Sequence, residues 1–323
     1  MTVAGGAGVR GVVDPVLEDF ARVIGRSGPV AVAGGRTQWS VGGPCPPGTR
    51  VVSAPAGVVA HEPAEMIVRV RAGTTVGALN SALAEGGQMV PLDPADPSLA
   101  TVGGVLAVGH SGVRRLRYGP VRDTVLEVHI VSAAGEVVKA GGPVVKNVTG
   151  FDLCRLLVGS LGTLGLLAEV VLRCHPVPVA SQWLRASGAD PFGVLSRLYR
   201  PSSVLWDGTQ VWVLLEGHPD DVAAQATSLG PTFTPVPGAP AAPGEGRISV
   251  PPGELRRLPT AAPGWLAHVG VGVVQTADPA SLAAALGLAW PRALSSRVAS
   301  LHGELKQRFD PSGRLNPGRQ VGL

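Results

Sequence analysis

Pro97-Ser-Leu-Ala-Thr-Val-Gly-Gly-Val-Leu-Ala-Val-Gly-His-Ser-Gly112 is the stretch around which this chain of 323 residues is organised. It opens on a Pro-Ser turn, passes a pair at Gly103-Gly104 and runs apolar to a second turn at Ser111-Gly112. Glycine leaves backbone amides uncovered, so such a stretch can press against a phosphate or a planar ring and acts as a close-approach cradle. The glycine pair alone carries no weight. With 45 Gly in the chain, about six Gly-Gly pairs are expected by chance, and six occur. The order of the motifs around the stretch has to decide.

An apolar share of 45% against 15% charged residues suffices for a buried core, and the length predicts two domains. The 24 Arg against three Lys (Lys139, Lys146, Lys306) reflect base composition rather than a binding device. A net charge of +4 is spread along the chain, with Arg114, Arg115 and Arg117 its densest group, which argues against a nucleic-acid partner. Cys45, Cys154 and Cys174 are isolated, so neither a disulfide framework nor a zinc or iron–sulfur site is expected, and the compartment reads as reducing and cytoplasmic. No basic-then-apolar leader and no run of 18 apolar residues occurs, so neither secretion nor membrane spanning is expected.

Working outward, Gly6-Ala-Gly-Val-Arg-Gly11 matches a dinucleotide fingerprint by letter only, because no strand precedes it. Asp14-Pro15 then predicts a capped helix carrying Val16, Leu17, Phe20, Ala21, Val23 and Ile24, closed by Gly25. Pro29 to Ala33 reads as a strand running into Gly34-Gly-Arg-Thr-Gln-Trp39. Such a loop can aim successive amides and a hydroxyl at a pyrophosphate, and it reads equally well as an ordinary turn. Strands are predicted at 50–53, 58–60 and 66–71, a helix at 75–85, a hairpin over 121–139, a helix ending at Leu157 and a strand over 166–173. The texture changes after Pro178. Strands near Trp183, 204–206, 211–215 and 264–275 accompany helices at 192–199, 220–229, from Pro279 and over 292–309, while 231–246 reads as an exposed, mobile Pro, Gly and Ala loop. Intermingled strands and helices favour α+β.

In order along the chain stand Gly34-Gly-Arg-Thr-Gln-Trp39, Ala100-Thr-Val-Gly-Gly104, Tyr118-Gly-Pro-Val-Arg-Asp-Thr-Val-Leu-Glu127, Lys146-Asn-Val-Thr-Gly-Phe-Asp-Leu153, Gly159-Ser-Leu-Gly-Thr-Leu-Gly-Leu-Leu-Ala-Glu169 and Phe309-Asp-Pro-Ser-Gly-Arg-Leu-Asn-Pro-Gly318. The series resembles the FAD-binding type-2 family of vanillyl-alcohol oxidase and p-cresol methylhydroxylase, and within it the FAD-binding E subunit of bacterial glycolate oxidase. The resemblance covers most of residues 28–178 and the tail. It implies an α+β FAD domain over 1–178 with two subdomains, a smaller α+β cap over 179–290, and a C-terminal helix and tail over 291–323 that return to the FAD domain.

By that resemblance, Gly34, Gly35, Arg36, Thr37, Gln38 and Trp39 hold the FAD pyrophosphate. Pro91, Ala100, Thr101, Gly103, Gly104, Ser111 and Gly112 run along the pyrophosphate, ribityl chain and flavin, and Gly162, Leu166 and Leu167 lie near the adenosine half. Arg36 replaces a usual third Gly, and Thr37 replaces the His of covalently flavinylated members, which implies non-covalent FAD. The family's later His-rich segment for substrate, metal and proton handling is absent, and the seven His are scattered. His129 alternates with apolar neighbours on a strand and reads as structural. No metal site is expected.

The implied function is a FAD-binding subunit of a glycolate oxidase-like complex that oxidises a small 2-hydroxy acid. It would work beside a fuller FAD-binding catalytic subunit and an iron–sulfur subunit, reaching a membrane only through partners. His110 and Arg115, with Arg114, form the base-and-cation set beside the cradle; the arginines are expected to face solvent or a partner. Two alternatives stand beside it: a self-sufficient small dehydrogenase, and a scaffold with a vestigial flavin site.

Overall fold

The computed structural model describes residues 14–143, 152–260, 264–291 and 294–320. Both Gly6–Gly11 and the motif over 146–151 lie outside them.

The first half begins with α1 (Pro15–Ile24), whose N-terminus is capped as the sequence predicts: Asp14 accepts from the Val16 amide at 2.9 Å, and Gly25 follows the last turn at φ 67°. Short parallel strands β1 (Val30–Val32) and β2 (Arg50–Val52) follow. The main sheet contains β3 (Val58–Glu62) and β4 (Ile67–Arg71). After α2 (Val76–Ala84), β5 (Gln88–Met89), α3 (Val102–Val108) and α4 (Arg115–Tyr118) come β6 (Val125–Val131), β7 (Val137–Gly141), α5 (Leu153–Leu157), β8 (Leu166–Arg173) and β9 (His175–Pro176). The sheet order is β3-β4-β8-β6-β7, antiparallel throughout.

β8 is central and buried on both faces, which is why Leu166 to Leu172 reads as a continuous apolar run broken only by Glu169, before exposed Arg173. One face packs on α2 and α3 through Leu79, Leu83, Val102 and Leu106. The other receives Leu17, Phe20 and Ile24 of α1 together with Leu315 from the tail. Each fully buried side chain of this kind contributes about 1.5–3 kcal/mol of transfer free energy.

Glu127 and Glu169 are held inside the sheet by Arg69, which donates to both at 2.9 and 3.0 Å, while His129 and Lys139 close on Glu127. Burial pushes the Glu127 carboxyl up, but the bonds from His129, Lys139 and Arg69 outweigh it and hold the group at about 2.

The second half is β10 (Ala180–Ser187), α6 (Pro191–Arg197), β11 (Ser203–Trp206), β12 (Gln210–Gly217), α7 (Pro219–Leu229), β13 (Thr234–Val236), β14 (Gly246–Ser249), β15 (Trp265–His268), β16 (Val273–Thr276) and α8 (Pro279–Ala285). Its seven strands run antiparallel in the order β13-β10-β12-β11-β15-β16-β14. Helices α6, α7 and α8 cover one face through Val194, Val222 and Leu282. The other face carries Leu205, Trp212 and Leu266 and meets Val113 of the first half.

Arg114 fastens the two halves at that junction. It donates to Asp93 at 2.6 Å and to Glu216 at 2.9–3.1 Å, and Glu216 is fully buried. Arg114 therefore faces the second sheet, not solvent or a partner subunit as the sequence reading held, because β12 alternation turns Glu216 toward the first half.

Two further expectations change. The strand foreseen over 264–275 is the hairpin β15–β16, folded at Gly270 and Gly272 with φ near +80°. The loop foreseen over 231–246 contributes β13 to the sheet edge and sets Ala241, Ala242, Gly244 and Glu245 on the wall of a cavity. Finally α9 (Ser296–Phe309), capped by Ser295, leads back to the first half, where Phe309 packs on its core and Leu315 pairs beside Val30.

Candidate cofactor site

Between the two halves lies a cavity of about 730 Å³, within the range of cofactor sites. The loop after β1 forms one wall, and its glycines are there for contact with the stretch at 99–104. A Cβ on Gly34 would stand 2.1 Å from Thr101 Oγ1, and one on Gly35 would stand 1.9 Å from the Leu99 carbonyl oxygen. Gly103 is fixed in the same way by Ala72, whose Cβ would be 2.7 Å away. Three segments thus meet in space that a side chain on any of these glycines would fill.

That approach leaves the loop's own amides unused. Among the described residues, the amides of Gly34, Gly35, Arg36, Thr37 and Gln38 donate to no protein acceptor, and all five residues line the cavity. Arg36 takes a left-handed φ of 57°, so the backbone keeps the turn that a third glycine would make and adds a cation beside it. A run of successive free amides with a guanidinium is what an oxyanion-rich pyrophosphate requires. The amides of Gly103 and Gly104, by contrast, are spent on Ala72 O at 2.7 Å and Thr101 Oγ1 at 3.2 Å. Gly104 meets the cavity with its bare Cα: a Cβ there would find only Thr101 Oγ1, at 3.0 Å.

The tail holds this wall in place. Asn316 Oδ1 accepts from the Val32 amide at 3.2 Å, and its Nδ2 donates to Leu161 O at 2.8 Å. Arg319 donates to the carbonyls of Trp39, Val41 and Gly43 and lays its guanidinium 4.3 Å from the Trp39 ring centroid, with Arg36 at 5.5 Å. Arg314, buried, donates to five carbonyls between Ile24 and Ala133, and Lys306 ties Asp310 to Thr163 O and Leu315 O.

At the junction end stands His110, just past the left-handed cap Gly109 of α3. Burial and the positive charge of Arg247 hold its imidazole down at about 4, so it is neutral near pH 7 and can offer one ring nitrogen as a hydrogen-bond donor and the other as an acceptor.

Gly34 to Trp39, Thr101, Gly103, Gly104, Gly162, Leu166, Leu167 and His110 share this one cavity. Pro91, Ala100, Ser111, Gly112 and Arg115 are not on its wall. Ala100 is buried in the core, the Ser111 hydroxyl accepts from the Val121 amide, and Gly112 packs against Asp93. Pro91 is buried, and Arg115 is half-buried at the start of α4. Sequence reasoning missed Asn316, Arg319, Arg247 and Gln275. The first two fall in or just after the quoted tail motif, which was the available signal; nothing marked the other two. Among the described residues no three His, Cys, Asp or Glu side chains gather as metal ligands, and no helix is long and apolar enough to cross a membrane.

Residues 17–141 match a family described as FAD binding domain. Glycolate oxidase subunit GlcE of Escherichia coli (strain K12) is 31% identical over 344 aligned positions, spanning 94% of this chain and 96% of that protein. Glycolate oxidase subunit GlcD of Bacillus subtilis (strain 168) is 39% identical over 100 residues, 31% of this chain and 21% of that protein. Among solved structures, an alkyldihydroxyacetonephosphate synthase superposes with a TM-score of 0.67 at 17% identity, covering 93% of this chain and 73% of that one. At that identity the likeness speaks for the fold. The chain belongs to the FAD-binding type-2 family, beside glycolate oxidase subunit GlcE.

Proposed function

We propose that this chain holds FAD non-covalently as a subunit of a glycolate oxidase-like assembly that oxidises a small 2-hydroxy acid. The observation that carries the reading is the unbroken row of unused amides from Gly34 to Gln38 on the cavity wall, together with 31% identity to GlcE along nearly the whole chain. FAD supplies hydride acceptance from an α-carbon and release of single electrons.

The chain's own residues do the holding. Gly34 to Gln38 donate to the pyrophosphate, and Arg36 adds charge. Gly104 leaves room for a planar group, and Leu166 and Leu167 line the far side. Thr37 offers a hydroxyl where a flavin-linking imidazole would stand, so no covalent bond forms. In this reading residues 1–178 keep the cofactor, 179–290 cap it and 291–323 brace the loop. A FAD-binding catalytic subunit and an iron–sulfur subunit work beside the chain in the cytoplasm, at the membrane face only through those partners.

Acid precipitation of the purified chain is expected to release all yellow colour into the supernatant as FAD. A colourless protein that takes up no added FAD would refute the reading, and a fluorescent denatured band would refute the non-covalent part. Purification from the native host tests the assembly: both partner subunits are expected to accompany the chain. A self-sufficient dehydrogenase is the second reading, favoured by neutral His110 on the cavity wall. Anaerobic bleaching of the isolated flavoprotein by glycolate at about 1 per second or faster would establish it.

A further inference from the structure

One guanidinium from the second sheet reaches the cavity with no ion-pair partner among the described residues. Arg247 sits on β14 directly across from Gln275 of β16. Its neighbour Ile248 packs into the helix-covered core, so strand alternation turns Arg247 the opposite way, onto the cavity wall with His110 and Gln275.

Of its five N–H donors, one is engaged among the described residues: Nη2 donates to the Ser111 carbonyl at 3.3 Å. It forms no ion pair among them. The nearest acidic residue in sequence, Glu245, also lines the cavity but accepts from Ser40 Oγ at 3.0 Å. The charges that Arg247 does feel have its own sign. Burial and Arg115 hold its guanidinium down at about 10, and His268, bonded to Gln275 at 3.1 Å, is held at about 4 by burial, Arg247 and Arg115.

A half-buried cation in the field of another cation is an unfavourable arrangement that a bound anion reverses. The other cavity arginines, Arg36 and Arg319, lie at the loop end, both against the Trp39 ring.

We propose that Arg247, with Gln275 beside it and His110 on the same wall, anchors the carboxylate of a small organic acid inside this chain's own cavity. A guanidinium with its fork free takes a carboxylate through two parallel hydrogen bonds. A cavity of about 730 Å³ that also takes a dinucleotide leaves room for an acid of only a few carbons. The assignment rests on the FAD reading only for what shares the cavity, and the anchor is measurable without flavin.

The test is calorimetric titration of oxalate into the full chain, once with FAD bound and once stripped of it, at constant ionic strength set with sodium chloride, with sulfate as a separate competitor. One site per chain is expected. Arg247→Met should weaken it by about 30-fold or more and Arg247→Lys by less. Arg22→Met, on the exposed face of α1, should leave it unchanged, and Arg247→Met should keep its FAD and its circular dichroism. No heat from the wild type at about 10 mM oxalate, an Arg247→Met affinity within about threefold of wild type, or equal displacement by sulfate would each overturn the anchor. Loss of FAD by Arg247→Met would also overturn it, by giving Arg247 to the cofactor phosphates. Oxalate binding by a chain that takes up no FAD would sink the cofactor reading and leave the anchor standing.

Discussion

Gly104→Ala separates the cofactor's demands from those of the fold, because the two respond with opposite sign. Gly104 lies inside α3 with ordinary helical backbone, and an added Cβ would meet nothing but Thr101 Oγ1 at 3.0 Å. Alanine in a helix is worth about 0.5–1 kcal/mol over glycine, less a few tenths for easing that hydroxyl aside. The apoprotein is therefore expected to be as stable as wild type or slightly more so. The methyl group otherwise points into the cavity, where the cofactor would have to give way. Overpacking a fitted site costs about 1–3 kcal/mol, which weakens FAD binding by about 5- to 150-fold. Gly142→Ala is the control, since a Cβ there meets no atom within 4 Å, and both its FAD affinity and its melting temperature should stay near wild type. The assay is FAD titration into apoprotein by fluorescence quenching, beside thermal unfolding of the same apoproteins. Equal FAD affinity for both variants and wild type would refute the placement of the cofactor against α3.

Three other outcomes follow from the same geometry. Gly35→Ala brings a Cβ to 1.9 Å from Leu99 O and forces the loop away by more than 1 Å as an order of magnitude; it should lower both FAD affinity and melting temperature, where Gly104→Ala lowers only the first. His110 and His268 are held at about 4 in the fold against about 6.5 unfolded, so the unfolded chain binds more protons between these values and stability falls as pH drops from 6.5 toward 4. By pH 5 the loss is about 2 kcal/mol per imidazole, and His268→Gln should flatten the melting temperature profile between pH 7 and 5. Glu216→Gln removes one of two carboxylates from Arg114 at the junction and should cost about 2 kcal/mol, read as a lower denaturant midpoint; an unchanged midpoint would mean the junction does not depend on that pair.

What the sequence made legible was local and strongly patterned. Asp14-Pro15 announces α1 because a carboxylate N-cap and a proline at the first helical position satisfy the same end of one helix. Leu166 to Arg173 announces a central strand because burial on both faces leaves no polar alternation. The loop Gly34–Trp39 was legible as a possible anion site, but its alternative as a plain turn fell away only when Leu99 and Thr101 were seen to occupy the space that side chains would need. Expectations failed where the deciding contact is distant along the chain. β14 has four residues with Ile248 alone buried, too short for a period to show, and it is a strand because β16 pairs with it.

The same non-locality explains why half of the cavity went unread. Arg247 and Gln275 acquire their direction from strand alternation against a core supplied by helices elsewhere in the second half. Asn316 and Arg319 act on a loop some 280 residues earlier, through hydrogen bonds to Val32, Trp39 and Val41. A tail that clamps the amide-bearing loop and a sheet that presents a guanidinium at its other end are each uninformative alone. Brought to one cavity, they set oxyanion donors at the loop end and a guanidinium without an ion pair among the described residues at the junction end, the polarity the proposed cofactor and acid anchor call for. Swapping the charge at one end should therefore leave binding at the other intact, since Arg36 and Arg319 are tied to Trp39 while Arg247 is tied to Ser111.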